Sequence, residues 1–163
     1  MDKKLMVYYS FEGNMDWAAK TLQSYDPEIV LERLVPEKEP PKKGLAKFFH
    51  GGKSALTGEL PPLDPMRNVP ADFDTLIIGF PVWAGTFPPA VGSFLKQYQF
   101  SGKNVYLIGS SAGGGAAKAF KNLESKLTGN HVQDTLSLVN PLNNKESAAE
   151  KLKEFSRKLV HRS

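Results

Sequence analysis

Apolar residues along this chain keep two rhythms. One is the short unbroken run. Thr75–Phe80 is a run of this kind and Asn104–Gly109 is nearly so; they predict buried strands, the first covered on both faces, and the β-prone stretches Lys4–Tyr9, Ile29–Leu34 and Val132–Leu138 predict three more strands. The other has helical spacing. Met15, Ala18, Ala19 and Leu22 mark one face of a helix over Asn14–Ser24. Val91, Phe94, Leu95 and Tyr98 do the same over Ala90–Gln99, and Phe120, Leu123 and Leu127 over Ala116–Leu127. Ala148, Leu152, Phe155 and Leu159 mark a last helix over Lys145–His161. Strand and helix alternate, which predicts an α/β fold: a doubly wound parallel sheet with helices on both faces. Five strands fit the order 2-1-3-4-5.

One stretch breaks the alternation. Val35–Pro70 is rich in Pro and Gly and stands where a second helix belongs, so the chain reads as a single domain over 1–163 with an irregular insert at about 35–70. Inside it, Leu45, Phe48 and Phe49 have helical spacing and Gly51-Gly52 ends that piece. Lys42, Lys43, Lys47 and Lys53 make the insert locally basic. It reads as a solvated flap over one sheet face, with a lid or partner surface as the alternative.

In the order 2-1-3-4-5 a ligand crevice forms beyond the carboxyl ends of strands 1 and 3, where the winding reverses. Three unusual loops fall on that edge. After strand 1 comes Ser10-Phe11-Glu12-Gly13-Asn14-Met15: a hydroxyl, a glycine turn, then the start of a helix. Amides converging at a helix N-terminus, aided by the helix dipole, form an anion pocket. The loop holds no Lys or Arg, so a phosphate there is held by amides and hydroxyls. After strand 3 comes Pro81-Val82-Trp83-Ala84-Gly85, whose aromatic reads as a wall for a flat ring. After strand 4 comes Ser111-Ala112-Gly113-Gly114, small enough for a flat ligand to approach backbone.

Composition narrows the chemistry. The chain has no cysteine, which removes disulfides, thiolate metal sites and Cys nucleophiles. His50, His131 and His161 lack metal-ligand spacing. The net charge of +4 comes from scattered lysines and reads as a solvated surface, not a nucleic-acid face. No apolar run is long enough to span a membrane, and Met1-Asp2-Lys3-Lys4 leads straight into a strand, so the expected location is cytoplasmic.

The opening Tyr8-Tyr9-Ser10-Phe11-Glu12-Gly13-Asn14, the run Ile77-Ile78-Gly79-Phe80-Pro81-Val82-Trp83-Ala84-Gly85 and the glycines after strand 4 resemble the flavodoxin-like family of FMN-binding proteins, small bacterial members above all. The resemblance covers nearly the whole chain. It implies a flavodoxin-like fold with FMN as cofactor. It further implies that Ser10, Phe11, Glu12, Gly13, Asn14 and Met15 surround the phosphate. Pro81, Val82, Trp83, Ala84 and Gly85 would flank one side of the isoalloxazine ring, and Ser111, Ala112, Gly113 and Gly114 the other. The chain departs from the family at four points. Met15 replaces a Thr or Ser, Glu12 sets a carboxylate beside the phosphate, the third loop lacks a covering Tyr or Trp, and the net charge is basic where electron-carrier flavodoxins are acidic.

Other readings of the same residues are weaker. Gly109-Ser110-Ser111-Ala112-Gly113 matches the hydrolase elbow G-x-S-x-G, and Asp134 and His161 follow in the order that a Ser111 triad needs. A dinucleotide fingerprint is missing after strand 1, and a phosphoacceptor site would need carboxylates where Ser10 and Pro81 stand. The expected function is therefore an FMN-dependent reductase of quinones or similar small acceptors using NAD(P)H. The alternative is a non-enzymatic electron carrier, fed by a reductase and passing electrons to a protein acceptor. Either could work as a homodimer. The flavin does the chemistry in both, and no side chain is expected to act as a catalytic residue.

Overall fold

A computed structural model describes residues 2–39 and 60–160. Five parallel strands form its sheet: β1 (Lys4–Tyr8), β2 (Ile29–Arg33), β3 (Thr75–Pro81), β4 (Asn104–Ser111) and β5 (His131–Val139). They lie in the order β2-β1-β3-β4-β5, with Met6 facing Leu31 on one side and Ile77 on the other. The helices are α1 (Asn14–Tyr25), α2 (Pro89–Gln97), α3 (Ala116–Glu124) and α4 (Lys145–Val160). This is the doubly wound α/β arrangement that the alternation predicts, and the flavodoxin-like order that the resemblance implies. None of the described helices is long and apolar enough to cross a membrane.

Each strand divides its side chains between two cores, because successive residues point to opposite faces. Leu5, Val7 and Tyr9 join Ile78, Phe80, Phe94, Leu107 and Phe120 under α2 and α3. Met6 and Tyr8 join Ile77, Ile108, Leu22, Leu152 and Phe155 under α1 and α4. The central strands therefore read as continuous apolar runs. Gly79 is the exception with a purpose. A Cβ there would lie 2.8 Å from the Met15 sulfur and 2.9 Å from the Met6 methyl, so the missing side chain is the notch into which α1 settles.

Strand ends differ from the expectation where backbone pairing outlasts the apolar pattern. β4 runs through Ser110 and Ser111 because Ser111 still pairs with Val139 of β5. α3 stops at Glu124, and Leu127 is buried from a turn whose amide reaches the Glu124 carbonyl at 3.0 Å.

The two described flanks of the insert pair with each other. Pro36 and Leu63 form an antiparallel bridge, Glu37 N–H donates to Pro62 O at 2.9 Å, and Asp64 N–H to Val35 O at 2.8 Å. The buried Glu32 carboxylate accepts from the amides of Arg67 and Asn68 and from Asn68 Nδ2, which anchors the return to β3. The proposed helical piece at Leu45, Phe48 and Phe49, with the lysines beside it, lies outside the described residues.

Candidate functional site

Loops leaving the carboxyl ends of β1, β3, β4 and β5 enclose one cleft. Its lining includes Ser10, Phe11, Glu12, Asn14, Met15, Pro81, Val82, Trp83, Ser111 and Ala112 from the three predicted loops. Gly13, Ala84, Gly85, Gly113 and Gly114 belong to the same loops but are not among the lining residues. Ser110 and Asn140 also line it, and neither was expected. No Lys or Arg is among these lining residues.

The first loop is fixed by its own hydrogen bonds. Gly13 has φ +94°, a left-handed turn that glycine adopts without strain, and its carbonyl accepts from Trp17 N–H at 3.0 Å. Ser10 Oγ, buried, accepts from Asp16 N–H at 3.1 Å and so satisfies one of the four free amides that begin α1. The positive end of the α1 dipole lies at this loop. Arg33, at the end of β2, clamps the loop from outside. Its guanidinium donates to Ser10 O at 2.8 Å and to Asp16 Oδ1 at 3.0 Å. Asn14 Oδ1 accepts from Leu142 N–H at 3.3 Å, tying this loop to the segment after β5.

Two departures noted in the sequence have structural reasons. Met15 is 1% exposed, its sulfur sunk toward the Gly79 notch, so it serves the α1 core more than the cleft. Glu12 is exposed at the mouth of the cleft, where water screens its charge.

The second loop is a tight hairpin. Trp83 and Thr86 exchange both backbone hydrogen bonds at 2.9 Å around Ala84 (φ 50°) and Gly85 (φ 73°). Two successive left-handed residues make this a type I′ turn. The conformation costs Ala84 roughly 1 kcal/mol. Lys118 of α3 lies over the tip, 3.3 Å from where a Gly85 Cβ would be. Trp83 is only 5% exposed. Its ring meets Tyr9 edge-on at 5.7 Å and Phe11 at 6.0 Å. Most of this aromatic is therefore packing, and the face it gives the cleft is small. Beneath it, Tyr9 Oη donates to Glu39 Oε2 at 2.7 Å, and burial together with that carboxylate pushes the phenol well above its ordinary pKa.

The third loop is open. Ala112, Gly113 and Gly114 are exposed, and a Cβ at Gly113 or Gly114 would meet nothing within 4 Å. Among the described residues, Ser111 Oγ is the buried side-chain polar atom without a hydrogen-bond partner. It borders the cleft. A buried hydroxyl left unpaired costs about 1–3 kcal/mol, and a polar ligand in the cleft would relieve it.

Taken together, the cleft is bordered by the N-terminus of α1 at one loop, by the buried Trp83 at the second and by the unpaired Ser111 hydroxyl at the third. A family model described as flavodoxin matches residues 60–158. The chain belongs to the flavodoxin family. No curated protein matches it. Among solved structures, a provisionally named flavoprotein from Bacteroides uniformis superposes with a TM-score of 0.80 at 22% identity, covering 96% of this chain and 98% of that one. A flavoprotein from Lactobacillus acidophilus, solved in complex with FMN, gives 0.66 at 19% identity over 88% and 98%. An NADPH-quinone reductase from P. pentosaceus gives 0.63 at 13% identity over 100% and 99%. At these identities the likenesses establish the flavodoxin fold.

The hydrolase reading fails on geometry. Asp134 pairs with Lys158 at 2.7 Å, and it stands opposite Tyr106, five residues back along β4 from Ser111. At about 3.3 Å per residue that is roughly 16 Å from the hydroxyl. Ser111 also lacks the strained turn of a nucleophile elbow, since Ala84 and Asn140 are the described non-glycine residues with positive φ. His161 lies outside the described residues. No cluster of metal-ligating side chains occurs among the described residues.

Of the two lining residues that sequence reasoning missed, Asn140 is the one from outside the three predicted loops. Its signal was present as Val139-Asn140-Pro141, an Asn-Pro turn directly after a strand on the ligand edge.

Proposed function

We propose that this flavodoxin-family protein is an FMN-dependent reductase that takes hydride from NAD(P)H and passes electrons to quinones or similar small acceptors. Family membership supports FMN as the cofactor. The donor set of the cleft fits it at both ends. Amides of the Ser10–Met15 loop and the Ser10 hydroxyl would hold the phosphate, with no cation needed. Val82 and Trp83 would border one side of the ring. Ser111, Ala112 and the glycines after them would border the other, with the unpaired Ser111 Oγ gaining a polar partner. When bound, FMN supplies hydride and single-electron chemistry. The chain's own part is to hold the phosphate, orient the ring and admit or refuse a second reactant.

The observation that carries the enzyme reading over the carrier reading is the third loop. Ala112, Gly113 and Gly114 project no bulk. A small acceptor or a nicotinamide could therefore reach the ring at the contact of about 3–3.5 Å that hydride transfer needs. Electron transfer to a protein partner makes no such demand.

Titration of apo-protein with FMN should quench flavin fluorescence and saturate near one equivalent. The holo-protein should then oxidise NAD(P)H in the presence of a soluble quinone. Binding without turnover above free FMN would hand the function to the carrier reading. No binding at high micromolar FMN would remove both.

A further inference from the structure

We propose that Asn140, in the turn after β5, is a positioning residue that turns two backbone carbonyls of the third loop away and leaves the amides of Ala112 and Gly113 as donors at the edge of the cleft. This rests on the cleft taking FMN. Asn140 N–H donates to Ser111 O at 2.8 Å, and its side-chain Nδ2 donates to Ala112 O at 3.1 Å. One residue thus captures two consecutive carbonyls. A trans peptide points its N–H opposite to its C=O. The N–H groups of Ala112 and Gly113 belong to those same two peptides, so both face away from Asn140, toward the side on which β3 lies. The ladder agrees: one residue earlier, Ser110 O faces β3 and accepts from Val82 N–H at 2.7 Å. Two adjacent amides are thus left without their carbonyls on the same side, in the loop whose Ser111 Oγ is unpartnered at the cleft.

Asn140 is itself held for this task. Its φ of 42° is left-handed, a conformation Asn tolerates better than most side chains. Asn143 N–H and Asn144 Nδ2 fix its carbonyl at 2.9 and 3.2 Å. Two residues on, Leu142 N–H reaches Asn14 of the first loop. The turn after β5 therefore joins the loop assigned to the phosphate to the loop assigned to the ring.

Paired backbone donors favour whichever state of the ring carries more negative charge. Asn140 should thus strengthen flavin binding and favour the reduced form in particular. Two variants test this. Asn140→Gly keeps the left-handed backbone and the backbone N–H, and removes only the bond to Ala112. Asn140→Asp is isosteric but sets a carboxylate against the Ala112 carbonyl.

Oxidised FMN and riboflavin should lose affinity by the same factor in each variant, about threefold for Asn140→Gly and about tenfold for Asn140→Asp, the scale of one net hydrogen bond. Reduced FMN should lose more than oxidised FMN, so the midpoint potential of bound flavin should fall in both. The inference is overturned if both variants bind flavin with wild-type affinity and potential. It is also overturned if affinity falls only in step with apo-protein melting temperature while the potential stays fixed. Absence of FMN binding by the wild type would overturn this inference together with the proposed function, and is seen before any variant is made.

Discussion

The first and third loops flank one cleft but are built on different plans. The first is determined many times over. A glycine with φ +94° sets its turn, Ser10 caps α1, Arg33 clamps it from β2, and Asn14 ties it to the segment after β5. The third is small and exposed, and its described side-chain tie is the single bond from Asn140. If the proposed function is right, the first loop holds a dianion without a cation, and it relies on amides fixed in place, because each misaligned donor weakens a short-range interaction. A loop that must admit a second reactant gains from leaving its space empty.

Breaking the rigid side should cost most. Trp83 comes from the second loop, but its packing partners are Tyr9 and Phe11. With 5% of its surface exposed, truncation leaves a cavity. Trp83→Ala should destabilise the apo-protein by about 3–5 kcal/mol in urea unfolding. A loss of flavin affinity with unchanged stability would mean that Trp83 is chiefly a stacking wall.

Gly13→Val should come next. A Cβ at this position has room, with Leu142 Cδ1 the nearest atom at 3.8 Å, so the cost is conformational and not steric crowding by neighbours. A left-handed L-residue costs roughly 1–2 kcal/mol, and a β-branched one resists that region further. The loop should relax out of its turn, and FMN should lose far more affinity than riboflavin. Equal losses for the two flavins would take the phosphate away from this loop.

Much of this was legible in the chain. The doubly wound order followed from five β-prone stretches separated by helical periodicity, and the edge on which the cleft lies followed from that order. Helical faces such as Met15, Ala18, Ala19 and Leu22 were read directly and are buried. What could not be read depended on contacts between distant residues. Arg33 looks like any strand-end charge until the sheet places it beside Ser10, 23 residues away. Met15 looks like a lost phosphate ligand until Gly79, on another strand, is seen to leave space for it. Trp83 reads as a stacking wall, and its packing on Tyr9 and Phe11 could not be foreseen, because a strand-end aromatic has no sequence mark telling packing from stacking. Asn140 escaped notice because its role depends on pairing between β4 and β5 that continues to Ser111.

Tyr9 should show a smaller effect with a defined pH signature. Its phenol is buried and donates to Glu39, and both raise its pKa above the ordinary value of 10.0. A raised folded-state pKa gives stability that is fully present below the unfolded pKa and is lost as pH rises above it. Tyr9→Phe should cost about 1 kcal/mol at pH 8, since the Glu39 carboxylate left behind is exposed to water. Above about pH 10 the wild type should lose stability that the variant keeps, so the two unfolding midpoints should converge. Parallel curves up to pH 11 would show that the phenol is not protected in the folded state.

The open side should give the smallest change in stability and the most specific change in chemistry. Gly113 is exposed, is not among the glycines with positive φ, and has nothing within 4 Å of the position a Cβ would take. Gly113→Tyr should therefore move apo-protein stability by no more than about 0.5 kcal/mol, as surface substitutions usually do. A tyrosine there can lie over the ring face that the small loop leaves uncovered, so FMN affinity should be equal or better. The same ring blocks the near-attack contact that nicotinamide or quinone requires, so NAD(P)H oxidation should drop steeply. One-electron reduction by an outer-sphere dye needs no such contact and should persist. Normal quinone turnover in Gly113→Tyr would show that the reactants approach from elsewhere, and the contrast between a fixed loop and an open one would lose its functional meaning.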